Sequence, residues 1–305
     1  MKKIILICIS AGLGILFYSC QKDLSSLSDK ENKPGTLNDF FDQNRNAGHK
    51  FTGSASSPIQ VVTAKGTKIL FENNSFVDES NSPVSGTINI AVKEILTPAE
   101  MILSDMPTVA GNRLLESGGE YNITVTQSNR KLKLAPGKYL KMQLPDIGVS
   151  STNMQVFNGS LKSNGTVDWT LNSNPGNFVV RDSFFIKTEL FADSVNWINC
   201  DRLINEPTVE FNVYPGNAPI SDSTSVYVHL TGRNTVVKMF WTGGLSYFNS
   251  NTLLPVQSSI IGISKKNGQL YLSVVPVLVQ NRQSVTLNFS PCTEEQLKAK
   301  LALLR

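Results

Sequence analysis

The chain has 305 residues, of which 40% are hydrophobic and 17% charged, with a formal net charge of +4. That length exceeds one ordinary domain and supplies apolar residues for two cores. Two of the basic residues, Lys2 and Lys3, fall at the very start, so the remainder is close to neutral and implies neither a nucleic-acid partner nor binding by bulk charge.

Lys2 and Lys3 precede an apolar run, Ile4 through Tyr18, that is shorter than the roughly 20 residues a membrane-spanning helix needs. It reads as a removable leader over residues 1–19. The run ends at Phe17-Tyr-Ser-Cys20, which resembles the bacterial lipobox, and in its looser form the signals of Bacteroidetes-type lipoproteins. The resemblance implies that Cys20 is acylated and becomes the anchor of the chain in the bilayer. Several acyl chains hold durably, because each buried CH₂ contributes about 0.8 kcal/mol. Gln21-Lys-Asp23 resembles the short Lys-plus-acid signal that sends such lipoproteins to the outer face of the outer membrane. The expected localisation is therefore the cell outer membrane, lipid-anchored and surface-exposed.

Residues 20–57 are polar and broken by Ser25, Ser26, Ser28, Pro34, Gly35, Gly48 and Gly53, so they read as a tether. Only Thr36-Leu-Asn-Asp-Phe-Phe41 carries the pattern of a short helical turn. From residue 58 the apolar period becomes two. Ile88, Ile90 and Val92 alternate with polar neighbours, as do Tyr121, Ile123 and Val125, and again Leu140, Met142 and Leu144. These strands predict a first β-sandwich over 58–147.

Residues 148–206 read as a connecting β region. Met154-Gln-Val-Phe157 and Thr166-Val-Asp-Trp-Thr170 flank Asn164-Gly165, a hairpin-turn pair, and further strands are expected around Phe184–Phe191 and Trp197–Arg202. A second sandwich is expected over 207–305, with alternation at Val209, Phe211 and Val213, at Val226, Val228 and Leu230, at Leu270, Leu272 and Val274, and at Val285, Leu287 and Phe289. Thr293–Gln296 is a capping box, and Leu297, Leu301 and Leu304 share one face of a terminal helix. The fold class is all-β: two sandwich-like domains in tandem after a leader and tether, with a short C-terminal helix.

Gly66-Thr67, Phe76-Val77, Gly86-Thr-Ile-Asn-Ile90, Leu114-Leu-Glu-Ser-Gly-Gly119 and Pro136 through Pro145 together resemble the ZU-five β-sandwich of ankyrins, zonula occludens proteins and netrin receptors. With Trp197–Arg202 added, the arrangement is similar to that of uncharacterised Bacteroidetes lipoproteins. Phe76 through Gly86 also resembles the start of carboxypeptidase regulatory-like β domains. Both resemblances imply a non-catalytic sandwich. Self-cleavage in the ZU-five group needs a His-Phe-Ser sequence, which this chain lacks.

Chemistry-bearing residues are sparse. Of two histidines, His49 falls in the expected tether and His229 is expected to face solvent beside Tyr227 and Thr231. No G-x-S-x-G elbow, H-E-x-x-H helix or phosphate loop occurs. Asp78, Glu79 and Asp201 are acids of a type that serves general acid catalysis or calcium ligation, and solvated charge is the expectation. Cys200 and Cys292 form an even pair, compatible with one disulfide or with two buried thiols. Phe240-Trp241 and Tyr247-Phe248 flank Gly243-Gly244. Trp241, Tyr247 and Phe248 would make a ligand platform if exposed, whereas alternation would put one ring of each pair in the core. The same default, core packing, is expected for Trp169 and Trp197. The reading requires no cofactor and no metal. The expected function is a non-catalytic binding or structural module whose partners are the bilayer, through Cys20, and an envelope protein or glycan. The alternatives are a glycan-binding surface lipoprotein and a hydrolase whose carboxylates converge only in the fold.

Overall fold

The computed structural model describes residues 35–46, 48–138, 140–150, 152–162, 167–173, 185–188, 197–218, 224–241 and 247–304. The leader, Cys20, Asn164-Gly165 and Gly243-Gly244 lie outside them.

In chain order the first half comprises α1 (Leu37–Asn46), β1 (His49–Ser54), β2 (Ile59–Val62), β3 (Lys68–Phe71), β4 (Phe76–Val77), β5 (Thr87–Ile95) and α2 (Pro98–Leu103). There follow β6 (Val109–Ala110), β7 (Arg113–Gln127), β8 (Arg130–Lys131), β9 (Lys133–Leu134), β10 (Leu140–Gln143), β11 (Gln155–Leu161), β12 (Val167–Leu171), β13 (Phe185–Thr188) and β14 (Trp197–Leu203). The second half has β15 (Val209–Tyr214), β16 (Thr224–Leu230), β17 (Val236–Trp241), β18 (Tyr247–Leu253), β19 (Gln257–Lys266), β20 (Gln269–Leu278), β21 (Gln283–Thr286), β22 (Ser290–Cys292) and α3 (Glu294–Leu301).

The all-β expectation holds, with a short C-terminal helix. One sheet runs β1-β5-β7-β14-β11-β12, with β6 and β8 added on β7, and a smaller sheet runs β13-β10-β3-β2. Their apolar faces meet in a first core: Ile88, Ile90, Val92, Tyr121, Ile123 and Val125 from one side pack with Val61, Ile69, Phe71, Leu140 and Met142 from the other. The period-two strands of the sequence supply these residues, because alternate side chains of a strand share a face.

Two boundaries need correction. Residues 148–206 are not a connector: β14, β11 and β12 complete the first sheet beside β7. The tether does not extend to residue 57 either, because β1 pairs with β5 and α1 buries Leu37, Phe40 and Phe41. The short helical turn read at Thr36–Phe41 is real, and Thr36 caps it by exchanging hydrogen bonds with Asp39.

The third sheet runs β21-β15-β18-β17-β16-β19-β20-β22. One face has its own core, built on Phe211, Val213, Val226, Val228, Val237, Met239 and Ile260. The other face, through Tyr227, Val236, Ile261 and Ile263, packs on Ile95, Leu115, Phe157, Trp169 and Trp197 of the first sheet and on all three helices. Residues 34–305 accordingly form one compact unit. The terminal helix has the capping box read from Thr293 and Gln296, and Leu297 and Leu301 are buried.

Candidate functional site

The two motifs Leu114–Gly119 and Trp197–Arg202 meet. They are antiparallel neighbours, β7 with β14, and the register slips between Asn199 and Asp201. Gly118 and Gly119 supply the irregularity. Gly119 has φ +129°, and a Cβ there would sit 2.5 Å from the Tyr121 hydroxyl, while one on Gly118 would sit 2.8 Å from the Cys200 carbonyl. Such positions exclude side chains, which is why a bulge here needs glycine.

The bulge organises a buried polar cluster. The Gly119 N–H donates to Ser117 Oγ at 3.0 Å, Ser117 Oγ donates to Asn199 Oδ1 at 3.0 Å, and Asn199 Nδ2 donates to Asp201 Oδ2. Beside them Glu120 is fully buried, and neither of its carboxyl oxygens has a hydrogen-bond partner. Burial, reinforced by the nearby Asp201, pushes Glu120 well above the usual carboxylate range. Burial also pushes Asp201 up to about 8, against the polar surroundings of Ser117, Asn199 and the Gly118 amide that favour its charged form. Two acids from distant strands therefore converge, as a carboxylate-pair hydrolase requires, but both are sealed with no exposed surface. Asp201, expected to be solvated, is instead a core residue.

At the edge of this cluster the Arg202 Nε donates to Glu116 Oε2 at 2.8 Å. Glu116 also lines a small cleft of about 300 Å³ with Leu96, Thr97, Ile147, Val149 and Arg233. The turn after β16 closes over it: Asn234 Nδ2 donates to the carbonyls of Leu96 and Ser117 at 3.0 and 2.8 Å.

A larger groove, about 580 Å³, lies on the face of the first sheet opposite its core. Register explains its composition. Thr52, Asn89 and Thr126 form one row across β1, β5 and β7, and Lys50, Ala91 and Thr124 form the next. These residues line the groove together with Asn129. The lining offers hydroxyls, amides, one ammonium and the apolar strand positions Phe51 and Ile90, and no histidine or carboxylate.

His229 is a correction. It is 1% exposed, its ring nitrogen Nε2 lies 3.1 Å from the Arg233 carbonyl, and Nδ1 has no partner. Burial lowers it to about 4, so the ring is neutral. The reason is topological: β16 lies between β17 and β19 with cores on both faces, so the side expected to be wet is covered. Neighbouring Tyr227 is buried likewise and donates to Asp105 Oδ1 at 2.7 Å. His49 is exposed on β1.

Cys200 and Cys292 are free, which overturns the disulfide reading. Cys200 packs in the first core on β14 and Cys292 lies on β22 beside the shared core. Burial pushes both thiols up. Asp78 accepts the Ser80 and Ser82 amides at 2.9 and 2.8 Å, closing a turn. Among the described residues no group of three or more His, Cys, Asp or Glu could hold a metal ion, and no helix is long and apolar enough to cross a membrane.

The aromatic expectation is corrected as well. Phe240 is 64% exposed and Trp241 41%, so neither is a core ring. Register sets position 248 opposite Phe240 and 247 opposite Trp241. Trp169 and Trp197 are core residues, as expected, and Trp169 Nε1 donates to the Pro107 carbonyl at 3.2 Å.

Comparison with protein-family models, with curated proteins and with solved structures finds no match. Functional inference therefore rests on the residues themselves. The sequence missed Glu120 because a single acid inside Leu114–Gln127 carries no local mark. The groove was missed because threonine and asparagine alternating with apolar residues read only as a wet sheet face.

Proposed function

We propose that the protein is a cell-envelope lipoprotein, acylated at Cys20 and held at the outer membrane, whose β body is a non-catalytic binding module for a neutral, hydroxyl-rich ligand. The observation that carries the binding reading is the polar groove over β1, β5 and β7, with Lys50, Thr52, Asn89, Thr124 and Thr126 along its floor. Hydroxyl and amide side chains both donate and accept, so they match ligand hydroxyls without the cost of burying a charge. The glycan alternative thus rests on the groove rather than on Trp241, Tyr247 and Phe248. Phe240 and Trp241 are consecutive on one strand and project to opposite faces, so they make no platform with each other, and the side chains at 247 and 248 lie outside the described residues.

The anchoring reading is supported by the Lys2-Lys3 start, the short apolar run and Cys20. Helix α1 begins at Leu37, within the stretch that the sequence reads as tether. The hydrolase alternative has one observation in its favour, the convergence of Glu120 and Asp201, and their burial weighs against it.

Two experiments test the proposal. Labelled palmitate should enter the wild type and not Cys20→Ala, and protease added to intact cells should digest the anchored protein; label persisting in the variant counts against Cys20 as the anchor. On a printed saccharide array the full chain should retain a neutral glycan class, and the double variant Thr52→Val, Thr124→Val should lose it with its melting temperature unchanged. Absence of saccharide retention, or retention indifferent to the double variant, removes the groove assignment.

A further inference from the structure

The cleft beside Glu116 is a second concave site, and it shares no lining residue with the groove. Its volume of about 300 Å³ lies at the lower end for small-molecule sites, room for one monomer and too little for an oligosaccharide. Its walls are held in place. Asn234 Nδ2 ties the turn after β16 to the carbonyls of Leu96 and Ser117, and the Arg233 amide donates to the Leu230 carbonyl at 3.0 Å. In the loop that carries Ile147 and Val149, the Gly148 amide donates to Asp146 Oδ1 at 2.9 Å. The mouth is open, because a Cβ on Gly148 or Gly232 would meet nothing within 4 Å.

The lining carries one charge of each sign, and each keeps unused hydrogen-bonding capacity. Arg202 Nε and Nη2 both donate to Glu116 Oε2, which leaves Oε1 without a partner among the described residues. Glu116 is only 6% exposed and lines the cleft, so the surface it retains is there. Arg233 is ion-paired to Glu206 through Nη2 at 2.7 Å, and its Nε and Nη1 have no partner among the described residues. Leu96, Pro98, Ile147 and Val149 supply the apolar part of the lining. Ile147 and Val149 pack in turn on the first core, so that wall is backed by side chains rather than by water.

We propose that this cleft binds a small zwitterion of the α-amino-acid type with an apolar side chain, its ammonium on Glu116 Oε1, its carboxylate on the free N–H groups of Arg233 and its side chain against Leu96, Ile147 and Val149. Both protein charges already have a counter-ion, Arg202 for Glu116 and Glu206 for Arg233. The cleft is therefore neutral, and a ligand that brings one charge of each sign keeps it so. A ligand with a net charge would leave that charge unbalanced in a partly buried site, which is costly. Hydrogen bonds between ionised groups are the strong ones, so two of them fix the orientation of a small molecule, and burial of its side chain on the apolar wall adds the non-directional part. The inference draws on the folded body alone and is independent of both the groove and the anchor.

The test is isothermal calorimetry of the full chain with three probes: leucine, isoamylamine, which is leucine without its carboxylate, and isocaproate, which is leucine without its ammonium. Saturable leucine binding, with both analogues weaker by about tenfold or more, is the expected result. In Glu116→Gln the preference for leucine over isocaproate should vanish, while the preference over isoamylamine, which Arg233 sets, remains. Val149→Trp fills the cleft without touching either charge; it should abolish binding at an unchanged melting temperature, and it carries the test if Glu116→Gln fails to fold. No saturable leucine binding up to about 10 mM, equal binding of the three probes, or binding indifferent to the variants overturns the assignment.

Discussion

Glu120 keeps both carboxyl oxygens buried and unpartnered beside Asp201, so its proton belongs to the folded state. A carboxyl whose folded pKa is raised contributes stability at low pH and loses it as pH rises through the folded value. For Asp201 that window runs from its ordinary 3.8 to about 8, and Glu120 adds to it in the same direction. The urea midpoint of the wild type should fall between about pH 4 and about pH 8 on this account. Glu120→Gln, neutral at every pH, should make that fall shallower; an unchanged profile would show that Glu120 does not hold its proton. His229 acts with the opposite sign. Its folded value of about 4 lies below the ordinary 6.5, so its contribution is complete above pH 6.5 and is lost as pH falls toward 4. That displacement corresponds to roughly 3 kcal/mol. His229→Gln should remove the acid limb over this interval, measured by denaturant titration at a series of pH values.

At the scale of the element, the bulge joining β7 to β14 holds the buried cluster in place, and Gly119 is its narrowest point. Gly119→Ala meets both a positive φ and the Tyr121 hydroxyl, so it should cost at least about 2 kcal/mol, seen as a lowered urea midpoint at unchanged slope. Legibility follows from burial. β5 and β10 were readable because one of their faces is polar along most of its length, and period-two alternation survives there. β16 was misread at His229 because both faces of the strand are buried, and a polar residue aimed at a second core has the same pattern as one aimed at water. Phe40 and Phe41 gave a helical turn but not its docking partner, since the residues they touch are supplied by other elements. Ser117, Asn199 and Asp201 were visible as members of two motifs, yet their pairing with one another and with Glu120 depends on strand order, to which local spacing is blind.

At the scale of the whole molecule, the tandem-domain picture and the observed shared core differ in how the protein should unfold. Independent sandwiches would melt separately, and a substitution in one would leave the other where it was. Here Phe41 meets Tyr227 of the third sheet edge-on, with ring centroids 6.3 Å apart, and lies in the same cluster as Trp197 and Phe157 of the first. Truncating it to alanine opens a cavity in the core that the two sheets share, at a cost of about 3–5 kcal/mol. Calorimetry of Phe41→Ala should therefore show one transition shifted downward as a whole. Fluorescence from buried Trp169 and Trp197 should move with the calorimetric midpoint, because a common core leaves neither sheet a stable state of its own. Two resolved transitions, with only one displaced, would mean that the helix belongs to a single sandwich. A body that melts as one also holds its groove in a single form, so ligand retention in the groove should disappear over the same temperature interval.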